Sequence, residues 1–313
     1  MSSESILDAA FSGFRLVRRR PGILPYWIGV QLVFGLASGI FFVWSAGGAL
    51  SQLAQASPQG RPDPGGTLAA LGQIAPAYLM LIVAWALNYS VYLAAANRAL
   101  SRPEESRFGY LRFGADELRQ LGLVACLILV GVGLYLVMVL AAAVIIGVST
   151  AMMGRPHPGI SATASLVSIL ATFVAVLLGL AGMVFFWVRL SLASPITFTT
   201  KRINVFGSWS LTRGRFWPIL GVQALVLLFI IGISVVGYVL IFAITGVVGG
   251  GSAMTTLFKP NVSSISAYLS PVSLVANLLQ MALSGLILPV SLCPAVDIYR
   301  RITGPSDLAT VFS

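Results

Sequence analysis

Six long apolar segments constrain this chain more than any other feature of its sequence. A helix needs about 20 apolar residues, each rising about 1.5 Å, to cross the hydrocarbon layer of a bilayer. All six segments reach that length. They span residues 23–44, 74–96, 121–148, 164–188, 218–248 and 274–295. Only 9% of the residues are charged, far fewer than a soluble domain carries. The sequence therefore predicts an all-α integral membrane protein, a single membrane domain over residues 1–313 with six transmembrane helices.

Lysine and arginine are distributed unevenly between the segments that connect these blocks. Sixteen of the 19 basic residues fall before the first block, after the second, after the fourth and after the sixth. The connections on the other side hold Arg61, Arg155 and Lys259. Because basic residues are retained on the cytosolic side, this asymmetry predicts that both termini are cytosolic. An even number of spans requires the same arrangement.

A weak repeat precedes alternate spans. FSGFRLVRRR begins at Phe11, FGYLRFGADE at Phe108 and FGSWSLTRGR at Phe206, and each precedes a pair of apolar blocks. The repeat predicts three hairpins, each preceded by a cytosolic interfacial helix, with pseudo-repeats of approximately 4–100, 101–195 and 196–301. The first segment is the most clearly amphipathic, since apolar residues recur at helical spacing. Its predicted apolar face contains Ile6, Leu7, Ala10, Phe11, Phe14 and Val17.

The stretch KRINVFGSWSLTRGRFW, from Lys201 to Trp217, interleaves four cations with aromatic rings and contains no acid. Such a pattern fits a nucleic-acid surface or a membrane interface. The position just before a span favours the interface, where tryptophan prefers the headgroup level, so no nucleic-acid partner is expected. We interpret the stretch and its N-terminal counterpart as binding anionic lipid headgroups; the alternative is that these arginines only fix the topology. The candidate residues are Arg18, Arg20, Lys201, Arg202, Arg213, Arg215 and Trp209.

Residue types that carry chemistry are scarce. None of the nine acids lies in the middle of an apolar block, and His157 is the sole histidine, in a connection on the outer side. A metal site needs several His, Cys or carboxylate ligands, so no metal, cofactor or catalytic residue is expected. Cys126 and Cys293 lie within apolar blocks and read as small buried hydrophobes.

Two segments carry a family resemblance: FGYLRFGADELRQLG and WVRLSLASPITFTTKRINVFGSWSLTRGRFWPILG. With the six-span layout, they resemble bacterial multi-pass proteins of the glycerophosphoryl diester phosphodiesterase membrane-domain type, over roughly residues 11–301. The resemblance implies a membrane region that is elsewhere fused to a soluble phosphodiesterase barrel. That barrel uses paired histidines and metal-binding carboxylates, which this chain lacks, so no catalytic residue carries over.

Together these features predict a non-enzymatic protein of the bacterial cytoplasmic (inner) membrane, a location that the excess of 17 arginines over two lysines also favours. It would act as a scaffold, a regulator or a lipid-interacting module through its basic cytosolic face. Expected partners are anionic membrane lipids, with a membrane-protein partner or a second copy of the chain also open. The alternative is a permease or channel for a small solute, with Asn88, Asn277 and Gln280 along its path.

Overall fold

A computed structural model describes residues 3–56, 64–152, 161–252 and 262–312. The described residues form helices and their connections, and no strand occurs among them. We number the α-helices in chain order: α1 Ser3–Ala10, α2 Ser12–Arg19, α3 Ile23–Ala56, α4 Pro64–Ser101, α5 Ala115–Met152, α6 Ser161–Leu190, α7 Ala193–Thr200, α8 Gly207–Thr212, α9 Phe216–Gly249, α10 Ile265–Tyr268 and α11 Pro271–Phe312. Short 3₁₀ turns span Arg107–Tyr110 and Gly250–Ser252.

Six helices in the described part of the chain are long and apolar enough to cross a membrane: α3, α4, α5, α6, α9 and α11. Each contains one of the six predicted blocks, so the predicted fold class is confirmed. The helices continue past the apolar blocks at their ends. The 38 residues of α4 amount to about 57 Å of helix, against about 30 Å of hydrocarbon.

The long helices expose large apolar side chains along most of their length. Leu129 on α5 is 72% exposed, Leu178 on α6 is 69% exposed and Val247 on α9 is 89% exposed. In water such a surface would be strongly unfavourable, whereas lipid tails are as apolar as the side chains themselves. The protein is therefore a multi-pass membrane protein whose outer surface is suited to lipid.

Helix α11 occupies the centre of the bundle. It packs against α3, α4 and α9, and half of its most apolar stretch is buried, whereas no residue in the most apolar stretch of α6 is buried. Small residues permit the close approach. A Cβ on Gly285 would lie 2.9 Å from the Cα of Ile28 in α3, and a Cβ on Gly35 would lie 2.7 Å from the Sδ of Met281.

Gly35 and Gly39, four residues apart in α3, lie at close packing contacts. Gly35 contacts α11 through Met281, while Gly39 accommodates the ring and hydroxyl of Tyr268 in α10. Pro289 and Pro294 lie inside the last span, where proline commonly kinks a helix. The residue of α11 at which the backbone leaves helical dihedral angles is instead Gly304, where φ is 74°.

The segments that precede the spans differ from the predicted interfacial helices. Helices α1 and α2 are separated by a break at Phe11 and pack on α9 and α11. Residues 107–110 form a short turn, and regular helix begins only at Ala115. Phe11 and Phe206 each directly precede a short helix, α2 and α8, whereas Phe108 lies in a left-handed turn. Arg61, Arg155, His157 and Lys259 lie outside the described residues, so the structure does not bear on their predicted positions.

Candidate lipid-contacting face

The sixteen basic residues predicted to be cytosolic meet at one end of the bundle. This basic end comprises α1, α2, α7, α8, the connection of residues 102–114, and the last turns of α11. Side-chain contacts join its parts across long stretches of sequence. Arg20 reaches Tyr110, Arg300 donates a hydrogen bond of 2.6 Å to the carbonyl of Leu100, and Arg301 pairs with Asp8. The basic end is therefore one connected surface.

The cations of this end divide into two groups according to whether a protein partner holds them. The first group has ion pairs, hydrogen bonds or aromatic contacts within the described residues. Its members are Arg15, Arg20, Arg98, Arg102, Arg112, Arg119, Arg189, Arg300 and Arg301. These cations contribute to the structure of the end and are less available to an external ligand.

Arg98 and Glu117 form the most deeply buried ion pair in the described part of the chain, with side-chain exposures of 4% and 2%. Arg98 also donates a hydrogen bond of 2.9 Å to the carbonyl oxygen of Tyr110. Asp116 lies 3.8 Å from the same guanidinium. Asp116 and Glu117 come shortly after Gly114 and lie in the first turn of α5, where the helix dipole favours carboxylates. The pair joins α4 to α5.

Polar side chains beside this ion pair connect α4, α5 and α7. Gln120 donates a hydrogen bond to the carbonyl of Ser194 and accepts one from its hydroxyl, both 3.0 Å. Asn97 donates to the same hydroxyl at 3.0 Å. The side chains of Asn97 and Gln120 are 1% and 0% exposed, so unpaired polar groups here would be costly. The network holds α7 against the bundle.

The turn at Phe108, Gly109 and Tyr110 is strained. All three residues have positive φ, at 51°, 63° and 67°, and the left-handed region costs a non-glycine residue about 1–2 kcal/mol. Hydrogen bonds hold the turn in place. Trp27 Nε1 donates to the carbonyl of Gly109 at 2.8 Å, and the Tyr110 hydroxyl donates to the carbonyl of Pro103 at 3.0 Å. The strain is therefore offset by one contact from α3 and by one within the connection of residues 102–114.

Arg189 lies against aromatic rings at the end of α6. Its guanidinium carbon is 5.2 Å from the ring of Phe185, 5.4 Å from that of Trp209 and 6.0 Å from that of Phe216. Trp209 also packs edge-on against Phe185, with centroids 5.6 Å apart. Trp209, a predicted headgroup contact, is therefore half-buried and serves to hold α8 against α6.

The second group of cations is exposed, and their side chains make no ion pair or hydrogen bond with any described residue. Five of the seven predicted site residues are in this group, while Arg20 and Trp209 have protein partners instead. Arg19 and Arg107 join the group although the sequence did not single them out. The unpaired cations are Arg18, Arg19, Arg107, Lys201, Arg202, Arg213 and Arg215.

Exposed apolar side chains accompany the unpaired cations. Ile203 and Phe206, which follow Lys201 and Arg202, are 50% and 66% exposed, and Trp217, which follows Arg215, is 77% exposed. An apolar residue beside a cation is typical of a surface that lies at the boundary between headgroups and acyl chains. Within this stretch Trp217 is therefore the exposed tryptophan, whereas Trp209 is half-buried.

Polar residues inside the spans engage neighbouring helices. Asn88 donates a hydrogen bond of 3.1 Å to Gln31, which joins α4 to α3. Gln280 donates one of 3.2 Å to the hydroxyl of Tyr238, which joins α11 to α9. Asn277 is half-buried. Interhelical bonds of this kind stabilise membrane bundles by about 0.6–2 kcal/mol each.

Comparisons with known proteins leave the chain without an assigned relative. No protein-family model, curated protein or solved structure matches it. The resemblance to the phosphodiesterase membrane-domain type therefore stays a hypothesis.

Proposed function

We propose that this chain is a non-enzymatic protein of the bacterial inner membrane that binds anionic lipids through its basic end, which faces the cytosol. The observation that carries the proposal is the group of seven unpaired cations. They are exposed beside exposed apolar side chains, and the cations around them are neutralised or held by the protein.

The energetics favour lipid phosphate as the partner of these cations. Each basic residue close to an anionic leaflet contributes about 1 kcal/mol. Arginine adds geometry, because its planar guanidinium binds phosphate oxygens in pairs. Arg213 and Arg215 immediately precede α9, and Trp217 in its first turn provides the apolar contact that fixes their depth.

The test compares two double variants that remove the same charge from the same end. Arg213→Gln with Arg215→Gln removes two unpaired cations. Arg112→Gln with Arg119→Gln removes two cations that pair with Glu105 and Asp116. Each protein is purified from native membranes in mild detergent, and its bound lipids are quantified by mass spectrometry.

We expect the first variant to retain less anionic lipid than wild type and the second to retain the wild-type amount. Equal retention by all three proteins would mean that the unpaired arginines act only in setting topology. An equal loss in both variants would indicate a response to net charge alone.

A further inference from the structure

A cleft of about 460 Å³ lies at the basic end, where α2 meets α3 and the connection of residues 102–114 passes over the junction. Its lining includes Arg20, Tyr26, Glu104, Ser106 and Tyr110. Because α3 is a candidate span that begins at Ile23, the cleft lies where that helix enters the apolar layer. A ligand in it would contact both charged groups and the edge of the hydrocarbon.

Glu104 is unusual among the acids of this end. Six acids have described side chains, and five of them pair with arginine: Asp8, Glu105, Asp116, Glu117 and Asp297. Glu104 is exposed and has no cationic partner among the described residues, although it is in the most basic part of the molecule. An unpaired carboxylate in such surroundings is free to accept a cation from outside.

Arg20 supplies the opposite charge in the same cleft. One of its terminal nitrogens donates to the carbonyl of Pro103 at 2.5 Å and to the hydroxyl of Tyr110. Its guanidinium carbon lies 5.7 Å from the centre of the Tyr110 ring. These contacts hold the guanidinium beside the connection that contains Glu104. The other guanidinium nitrogens of Arg20 make no hydrogen bond with a described residue.

A cleft with one fixed cation and one unpaired anion matches a zwitterionic ligand. We propose that it binds the phosphoethanolamine headgroup of a membrane lipid, with the phosphate at Arg20 and the primary ammonium at Glu104. The ammonium donates hydrogen bonds to the carboxylate, which a trimethylated ammonium cannot do. Tyr26, 49% exposed, and Phe108, 70% exposed, are rings set edge to face with centroids 6.3 Å apart, and they provide the apolar border for the glycerol and acyl chains.

The experiment uses the full chain in nanodiscs that contain equal amounts of phosphatidylethanolamine and phosphatidylcholine, which differ only in methylation of the ammonium. The protein is then extracted, and the lipids that remain bound are quantified. Glu104→Gln removes the proposed acceptor. Glu105→Gln is the matched control, because it removes the same charge from the neighbouring residue, which pairs with Arg112. A second arm measures binding of soluble phosphoethanolamine to the detergent-purified protein.

We expect wild type and Glu105→Gln to retain phosphatidylethanolamine severalfold over phosphatidylcholine, and Glu104→Gln to lose that preference. No preference in wild type, or an equal preference in Glu104→Gln, would overturn the proposal. Binding of soluble phosphoethanolamine that disappears in Glu104→Gln, together with no lipid preference in wild type, would overturn the lipid as the occupant and indicate the free headgroup instead. The variant Arg213→Gln with Arg215→Gln should keep the preference, so this site and the anionic-lipid surface can fail independently.

Discussion

Among single residues, Glu117 has the contact whose loss should cost the most stability. Replacing it with glutamine leaves Arg98 as a buried cation, and breaking a buried ion pair costs about 3–5 kcal/mol. Glu105→Gln changes the same charge at a partly exposed pair, which is worth about 0–1 kcal/mol. We therefore expect a much lower midpoint of thermal unfolding in detergent for Glu117→Gln than for Glu105→Gln. Equal midpoints would show that the Arg98–Glu117 pair does not stabilise the end.

The sequence placed the cations at one end but did not predict which of them have protein partners. The positive-inside rule depends only on counts along the chain, whereas pairing depends on contacts between distant segments. Arg20 reaches Tyr110 across 90 positions of sequence. Arg18 and Arg20 therefore look equivalent in the sequence and differ in the structure. A local signal existed for Glu117, since the helix dipole favours acids in the first turn of a helix, but its partner Arg98 lies 19 positions earlier in the sequence.

At the scale of elements, Gly13 controls how α2 docks on the bundle. A Cβ on this residue would lie 2.7 Å from the Cα of Val290 in α11, so backbone would have to move. We expect Gly13→Ala to lower the thermal unfolding midpoint by several degrees. Gly29→Ala, on a helical glycine with open space around it, should leave the midpoint unchanged or raise it slightly. Similar midpoints in the two variants would contradict the docking of α2 on α11.

The packing of α2 on α11 also explains why the structure of the N-terminal segment, α1 and α2, was only partly predicted. Its helical periodicity and charged face were visible in the sequence, and two short helices, α1 and α2, form there. The predicted apolar face was expected to lie at the membrane interface, yet Ala10 is buried, and Phe11 and Phe14 pack against Phe229 of α9. Periodicity identifies an apolar face but does not say whether lipid or protein covers it. The left-handed turn at residues 108–110 was missed because tertiary contacts hold residues there against their local preference.

At the scale of the whole molecule, the six spans could be predicted from the sequence. The length and apolarity of each segment are local properties, and a bilayer requires both. Orientation stays a prediction, which topology reporters can check. Fusions at Gly66, Gly159 and Ser252 should report the outer side, and fusions at Glu105, Asn204 and the C-terminus should report the cytosol. A reversed result at any two sites would contradict the cytosolic position of the basic end.

The central claim, that the unpaired cations of the basic end bind anionic lipid, is tested most directly by thermal stability in nanodiscs. The unfolding midpoint is measured as phosphatidylglycerol replaces phosphatidylcholine, at low and at high salt. We expect the midpoint of wild type to rise by several degrees with anionic lipid, and salt to reduce the rise because it screens exposed charges. Arg112→Gln with Arg119→Gln should show the same rise, and Arg213→Gln with Arg215→Gln a clearly smaller one, since it lacks about 2 kcal/mol of attraction. An identical rise in all three proteins, or none in wild type, would contradict the account.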